Sequence, residues 1–125
     1  MIYTCYFAKL KYLPDNIIPI SICIKAPNHY TGLQYKKLAP KYSFFSKWKE
    51  NRNDNYYREC FQKEILDTLS AAEVVNELYT LVNDDTKDIA LICYEKPCDF
   101  CHRHLISDWL RKNGFKCKEW TEDIN

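Results

Sequence analysis

Asp88-Ile89-Ala90-Leu91-Ile92-Cys93, followed beyond a polar loop by Cys101-His102-Arg103-His104-Leu105-Ile106-Ser107-Asp108-Trp109-Leu110, sets the architecture of this chain. A short, unbroken apolar run bounded by turn residues is the pattern of a strand covered on both faces, as in a parallel sheet. It is expected at the sheet centre. Leu105, Ile106, Trp109 and Leu110 fall at helical spacing, and Gly114 stands where a C′ residue closes a helix, so a helix is predicted over Cys101–Asn113. A strand that feeds a helix in this way is half of a crossover unit.

Working outward, Ile2–Phe7 and Ile17–Ile24 are β-favouring runs, the second following the turn Leu13-Pro14-Asp15-Asn16, and Phe115–Trp120 is a closing strand. Tyr35–Lys63 is expected to be helical in two pieces separated at Asn51–Asn55. Ser70-Ala71-Ala72-Glu73 has the capping-box form, which places a helix over Ala71–Val82 with Val74, Val75, Leu78, Leu81 and Val82 on its buried side. Strands alternate with helices. The expected fold is therefore α/β, a single-domain layered fold over residues 1–125 with a small, mainly parallel sheet flanked by helices in the Rossmann-like manner.

Composition narrows the function. Eighteen Lys+Arg against seventeen Asp+Glu leave a formal charge of +1, so global charge argues for no polyanionic partner. With two glycines the chain cannot assemble a glycine-rich phosphate loop or a dinucleotide fingerprint. No run approaches the roughly 18 apolar residues of a membrane span, and the opening MIYTCYFAKLKYLP lacks the pattern of a secretory leader, so a cytoplasmic protein without membrane contact is expected. Seven cysteines, an odd number, are expected to be reduced. Cys5, Cys23, Cys60 and Cys117 are expected to serve as small core residues.

In open α/β sheets ligands sit beyond the carboxyl ends of the strands. That rule points at Cys93-Tyr94-Glu95-Lys96-Pro97-Cys98-Asp99-Phe100-Cys101-His102-Arg103. Free amides at the helix start favour an anion, and Arg103 would add a forked donor for phosphate or carboxylate. Cys101 beside His102 and Arg103 has its thiolate favoured, which makes it the candidate nucleophile. Glu95 and His102 are the candidate proton carriers, Glu95 also as a partner that orients Arg103 or His102; Arg103, Cys93, Tyr94 and Lys96 are the candidate substrate contacts. The expected substrate is a small anion, phosphate-bearing or nucleotide-like, handled without metal or cofactor. A non-catalytic module that binds an anion or a nucleic-acid end is the alternative.

Other signatures overlap the same stretch. Cys98-Asp99-Phe100-Cys101-His102 matches the haem-attachment spacing, Cys93, Cys98 and Cys101 with Cys117 match a plant-type iron–sulfur spacing, and Cys98, Cys101 and His102 with one further thiol would suit zinc. Cys98 to Arg103 also has the length of a sulfur-transfer loop, although Asp99 opposes the negative charge such a loop gathers.

The strand ending Cys93-Tyr94-Glu95, the short loop, and the helix opening Cys101-His102-Arg103 and bearing Asp108 resemble the C-terminal signature of the domain of unknown function 488 family, widespread in bacteria. The N-terminal Ile2-Tyr3-Thr4 and the second strand ending near Ala26-Pro27 are similar to the rest of that family, so the likeness spans nearly the whole chain. The resemblance implies a bacterial or phage source, the α/β fold, and a site at Cys93, Glu95, Cys101, His102, Arg103 and Asp108, without Cys98. It implies no established reaction. Where many members carry Asp-x-Arg on the second strand, this chain has Ser21-Ile22-Cys23-Ile24, and a glycine-rich opening is replaced by Tyr3-Thr4-Cys5-Tyr6.

Charge is uneven along the chain. Tyr35–Lys63 holds eight Lys/Arg against three acids, and Glu64–Ile92 seven acids against one Lys. Lys36, Lys37, Lys41 and Lys47, interleaved with Trp48 and other aromatics, are the residues through which nucleic acid would bind; the alternative is that the rings pack on the sheet while the lysines stay solvated.

Overall fold

A computed structural model describes residues 1–95 and 100–122. Five parallel strands run in the order β3-β2-β4-β1-β5. They are β1 (Ile2–Tyr6), β2 (Ile17–Ser21), β3 (Leu33–Gln34), β4 (Asp88–Cys93) and β5 (Cys117–Glu119). β4 is the middle strand, and Ile89 to Cys93 are all buried, as its unbroken apolar run requires.

Four α-helices follow in chain order: α1 (Tyr42–Asn51), α2 (Asp54–Glu64), α3 (Ala71–Val82) and α4 (His102–Lys112). The break between α1 and α2 falls inside the expected asparagine-rich turn, where Arg52 takes a left-handed conformation (φ 54°) and the Asn53 side chain accepts the Tyr56 amide hydrogen. Ser70 caps α3 by accepting from the Glu73 amide, and Gly114 follows α4 with φ +87°, a conformation that favours glycine. Among the described residues no helix is long and apolar enough to cross a membrane.

Pleating divides the sheet into two unequal faces. Ile2, Ile20, Ile89, Leu91 and Cys93 pack against residues of all four helices, including Phe44, Phe61, Leu78 and Leu110. Tyr3, Cys5, Ile17, Ala90 and Ile92 form a smaller cluster with Trp120, against which Met1 packs, as do Phe7 and Leu10 of a 3₁₀ segment, Phe7–Tyr12, and the following Leu13. Cys93 shares parity with Ile89 and Leu91, so its sulfur is on the helix side.

Several expectations need correction. Leu81 is 39% exposed, because the buried stripe of α3 narrows to Ala71, Val74 and Leu78. β2 ends at Ser21 and not Ile24, since beyond Ile22, whose amide still donates to the Ile92 carbonyl, the chain turns toward Pro27. Cys5, Cys23 and Cys117 are buried, whereas Cys60 is half-buried on α2. The thiols are not all reduced: Cys93 and Cys101 are joined through their sulfurs.

Candidate functional site

The carboxyl end of β4 and the start of α4 meet above the helix-side core. Cys93 is the last residue of β4, and Cys101 is the N-cap of α4, just outside the first turn in which it was expected. Both are nearly inaccessible, at 1% and 4%. Their Cα atoms are 7.4 Å apart. Lys96, Cys98 and Asp99, which the sequence also nominated, lie outside the described residues.

His102 fills the third corner. Its Nε2 lies 2.7 Å from the Ile22 carbonyl oxygen, which can only accept, so Nε2 carries the proton and Nδ1 is an open lone pair. Nδ1 faces the Cys101 sulfur at 3.8 Å. Burial, reinforced by the Arg103 charge and opposed by the Ile22 bond, pushes the imidazole down to about 4, which keeps it neutral at physiological pH. The Cys93 and Cys101 sulfurs and a His102 nitrogen all lie within 4.8 Å of one another.

Arg103 departs from expectation. It is fully buried, and its donors are committed inward: Nε and Nη2 each bond one oxygen of the Glu119 carboxylate at 3.0 Å, while Nη1 donates to the Glu95 backbone carbonyl at 2.6 Å and to the Cys93 sulfur at 3.0 Å. Thr4 donates to the same carboxylate at 2.7 Å. A guanidinium held so completely has no fork left for a ligand in solvent, and it acts on the site as a fixed positive charge against Cys93. The orienting groups are also not those expected of Glu95, since backbone carbonyls of residues 95 and 22 hold Arg103 and His102.

A cleft of about 300 Å³ opens beyond the carboxyl edge of β2 and β4, lined by Cys93, Tyr94, Glu95 and His102 together with Lys25, Tyr42 and Phe45. Cys101 looks instead into a niche of about 20 Å³ beside Phe100 and Trp48. Tyr94 is half-exposed and its hydroxyl donates to the Lys25 carbonyl at 2.8 Å. Cys23 also lines the cleft, but burial pushes its thiol up to about 12 and keeps it protonated. Asp108 is away from this cleft, ion-paired with Arg111 one turn along α4. Cys117, the thiol that a plant-type iron–sulfur spacing would need as its fourth ligand, lies on β5 against Ser107.

The basic stretch is engaged locally. Lys36 donates to the Cys23 and Ile24 carbonyls, Lys37 pairs with Glu77, Lys41 with Glu64, and Lys47 lies over the Tyr56 ring. Trp48 is 6% exposed, with its indole donating to Asp54 at 2.7 Å and its ring against Phe45, Tyr57 and Phe100. A ring in that position presents no face on which a base would stack.

The sequence reading missed Glu119 and the Ile22 carbonyl. Glu119 shares parity with the buried Cys117 on a strand two places from β4, a position where a carboxylate needs a cationic partner. Residues 13–114 match the model of a family described as the active DUF488-N3 subclade. No curated protein and no solved structure matches the chain.

Proposed function

The chain belongs to the active DUF488-N3 subclade, and we propose that it is a thiol-dependent enzyme that takes a small anionic substrate into the cleft beyond β2 and β4. The observation that carries the reading is the 3.0 Å contact of the Arg103 guanidinium with the Cys93 sulfur, a sulfur that lines the cleft. A fixed cation beside a thiol favours the thiolate, which is the reactive form.

Cys93 is then the attacking sulfur, and Cys101, looking into the small niche, is the second thiol, whose S–H faces the His102 Nδ1 lone pair as a hydrogen-bond donor. Glu95 is the carboxylate within reach of the cleft and carries protons. Lys25, exposed in the cleft lining, takes over the anion contact first assigned to Arg103, and Tyr42 and Phe45 offer apolar surface to the body of the substrate. The bond between Cys93 and Cys101 caps the nucleophile, so activity requires a reductant.

The test uses metal-free protein reduced with a phosphine and alkylated across a pH series, with each site read by peptide mass. Cys93 is expected to react below the pH range of an ordinary thiol, about 8.5, and faster than the half-buried Cys60. Nucleoside phosphates in excess are expected to slow it. A Cys93 that reacts no faster than Cys60 up to about pH 9 would overturn the reading.

A further inference from the structure

We propose that Cys93, Cys101 and His102, once the two sulfurs are reduced, form a three-ligand zinc site whose fourth coordination position faces the cleft. Thiolates and a neutral imidazole are the donor set that zinc prefers. Tetrahedral zinc, with bonds of about 2.0–2.3 Å, places its ligand atoms roughly 3.3–3.8 Å apart. The Cys101 sulfur and His102 Nδ1 are already at 3.8 Å, and all three donor atoms lie within 4.8 Å. The Cα atoms of the two cysteines, at 7.4 Å, are farther apart than the about 4.4–6.8 Å usual for directly bridged residues, so once the bond is reduced the sulfurs can part to the spacing of a shared ion without the backbone closing in.

The surroundings are built as metal sites are. A ligating histidine ordinarily donates its other ring nitrogen to a carbonyl or carboxylate, which fixes the tautomer, and His102 does so to Ile22. A metal-bound thiolate ordinarily accepts a hydrogen bond, and Arg103 supplies one to Cys93. Among the described residues three protein ligands converge, and three rather than four is the arrangement of catalytic zinc, where water or a substrate atom completes the shell. Cys93 and His102 both line the cleft from which that ligand would come.

The chemistry balances without a hidden reagent. An added phosphine and one water reduce the Cys93–Cys101 bond, giving two thiols and the phosphine oxide. Zinc then displaces the two thiol protons, while His102 binds through a lone pair that is already free. The bridged pair and the zinc complex are thus alternative states of the same sulfurs.

The site goes beyond the enzyme reading, which concerns metal-free thiol reactivity, so zinc binding is measured without any turnover. Reduced wild-type protein given zinc and freed of excess should retain one ion per chain by elemental analysis. Cys93→Ser and Cys101→Ser should lose it, and Cys60→Ser should keep it. Cobalt(II) in place of zinc should give the visible bands of a tetrahedral thiolate site, altered in His102→Gln. Where a variant fails to fold, the wild type still answers: zinc should shield Cys93 and Cys101 from alkylation and leave Cys60 unprotected. Folded, reduced wild-type protein that retains no stoichiometric zinc would overturn the proposal, as would undiminished zinc in the Cys93→Ser, Cys101→Ser double variant.

Discussion

Two hollows flank α4, and the larger one holds less chemistry. The groove between α2 and α4 encloses about 610 Å³, twice the volume of the cleft beyond β2 and β4, and is lined by Arg58, Glu59, Lys63, Asp67, Asp108 and Lys112 among others. Its charges are mixed and sit on helix surfaces where water screens them. The smaller cleft has the Cys93 sulfur and the neutral His102 imidazole in its lining, with the buried Arg103 guanidinium fixed against that sulfur. Convergence and fixation of polar groups, rather than size, mark a site.

The contrast can be broken most sharply at Arg103. Replacing it with Leu leaves Glu119 without its cation in a partly buried position, and a loss of about 3–5 kcal/mol is expected from urea unfolding. Lys112→Ser on the rim of the large groove should change stability by no more than about 0.5 kcal/mol. Equal effects at the two positions would erase the distinction between a fixed charge and a solvated one.

A pH series sharpens the comparison next. His102 is pushed down to about 4 in the folded protein from an ordinary value near 6.5, so the unfolded chain binds its proton more readily. Its contribution is therefore intact above about pH 6.5 and is lost as the pH falls toward 4, by about 3 kcal/mol in all. The measurement is the difference between wild type and His102→Gln in unfolding free energy across that interval. A difference independent of pH would mean that the imidazole is not held neutral by burial.

The smallest effect lies at the far end of α2, whose other end forms a wall of the large groove. Asn53→Ala removes the side-chain oxygen that accepts the Tyr56 amide hydrogen at 3.1 Å, and about 1 kcal/mol of stability should go with it. Thermal unfolding reads the change, while the alkylation rate of reduced Cys93 should stay put.

Much of the frame was legible because its signals are local. The apolar run of β4, the Ser70 cap, the break near Asn53 and the glycine after α4 each reflect hydrogen bonding and burial within a few residues. The 3₁₀ segment Phe7–Tyr12 was not legible, since Leu10 and the following Leu13 gain their burial from the second sheet face. Nor was β3, two residues long and defined by pairing with β2. Leu81 shows the converse failure: its spacing fits the stripe, but no layer covers it.

Residue pattern alone was enough to show that Cys93 ends a buried strand and that a helix begins beside Cys101 and His102, because the first follows from an unbroken apolar run and the second from helical spacing. Only the tertiary structure decided that Cys93 meets Cys101, that Ile22 sets the tautomer of His102, and that Arg103 turns inward to Glu119. Those contacts join β1, β2, β4, β5 and α4 through the strand order β2-β4-β1-β5, and strand order is settled by which faces bury most together rather than by any local pattern.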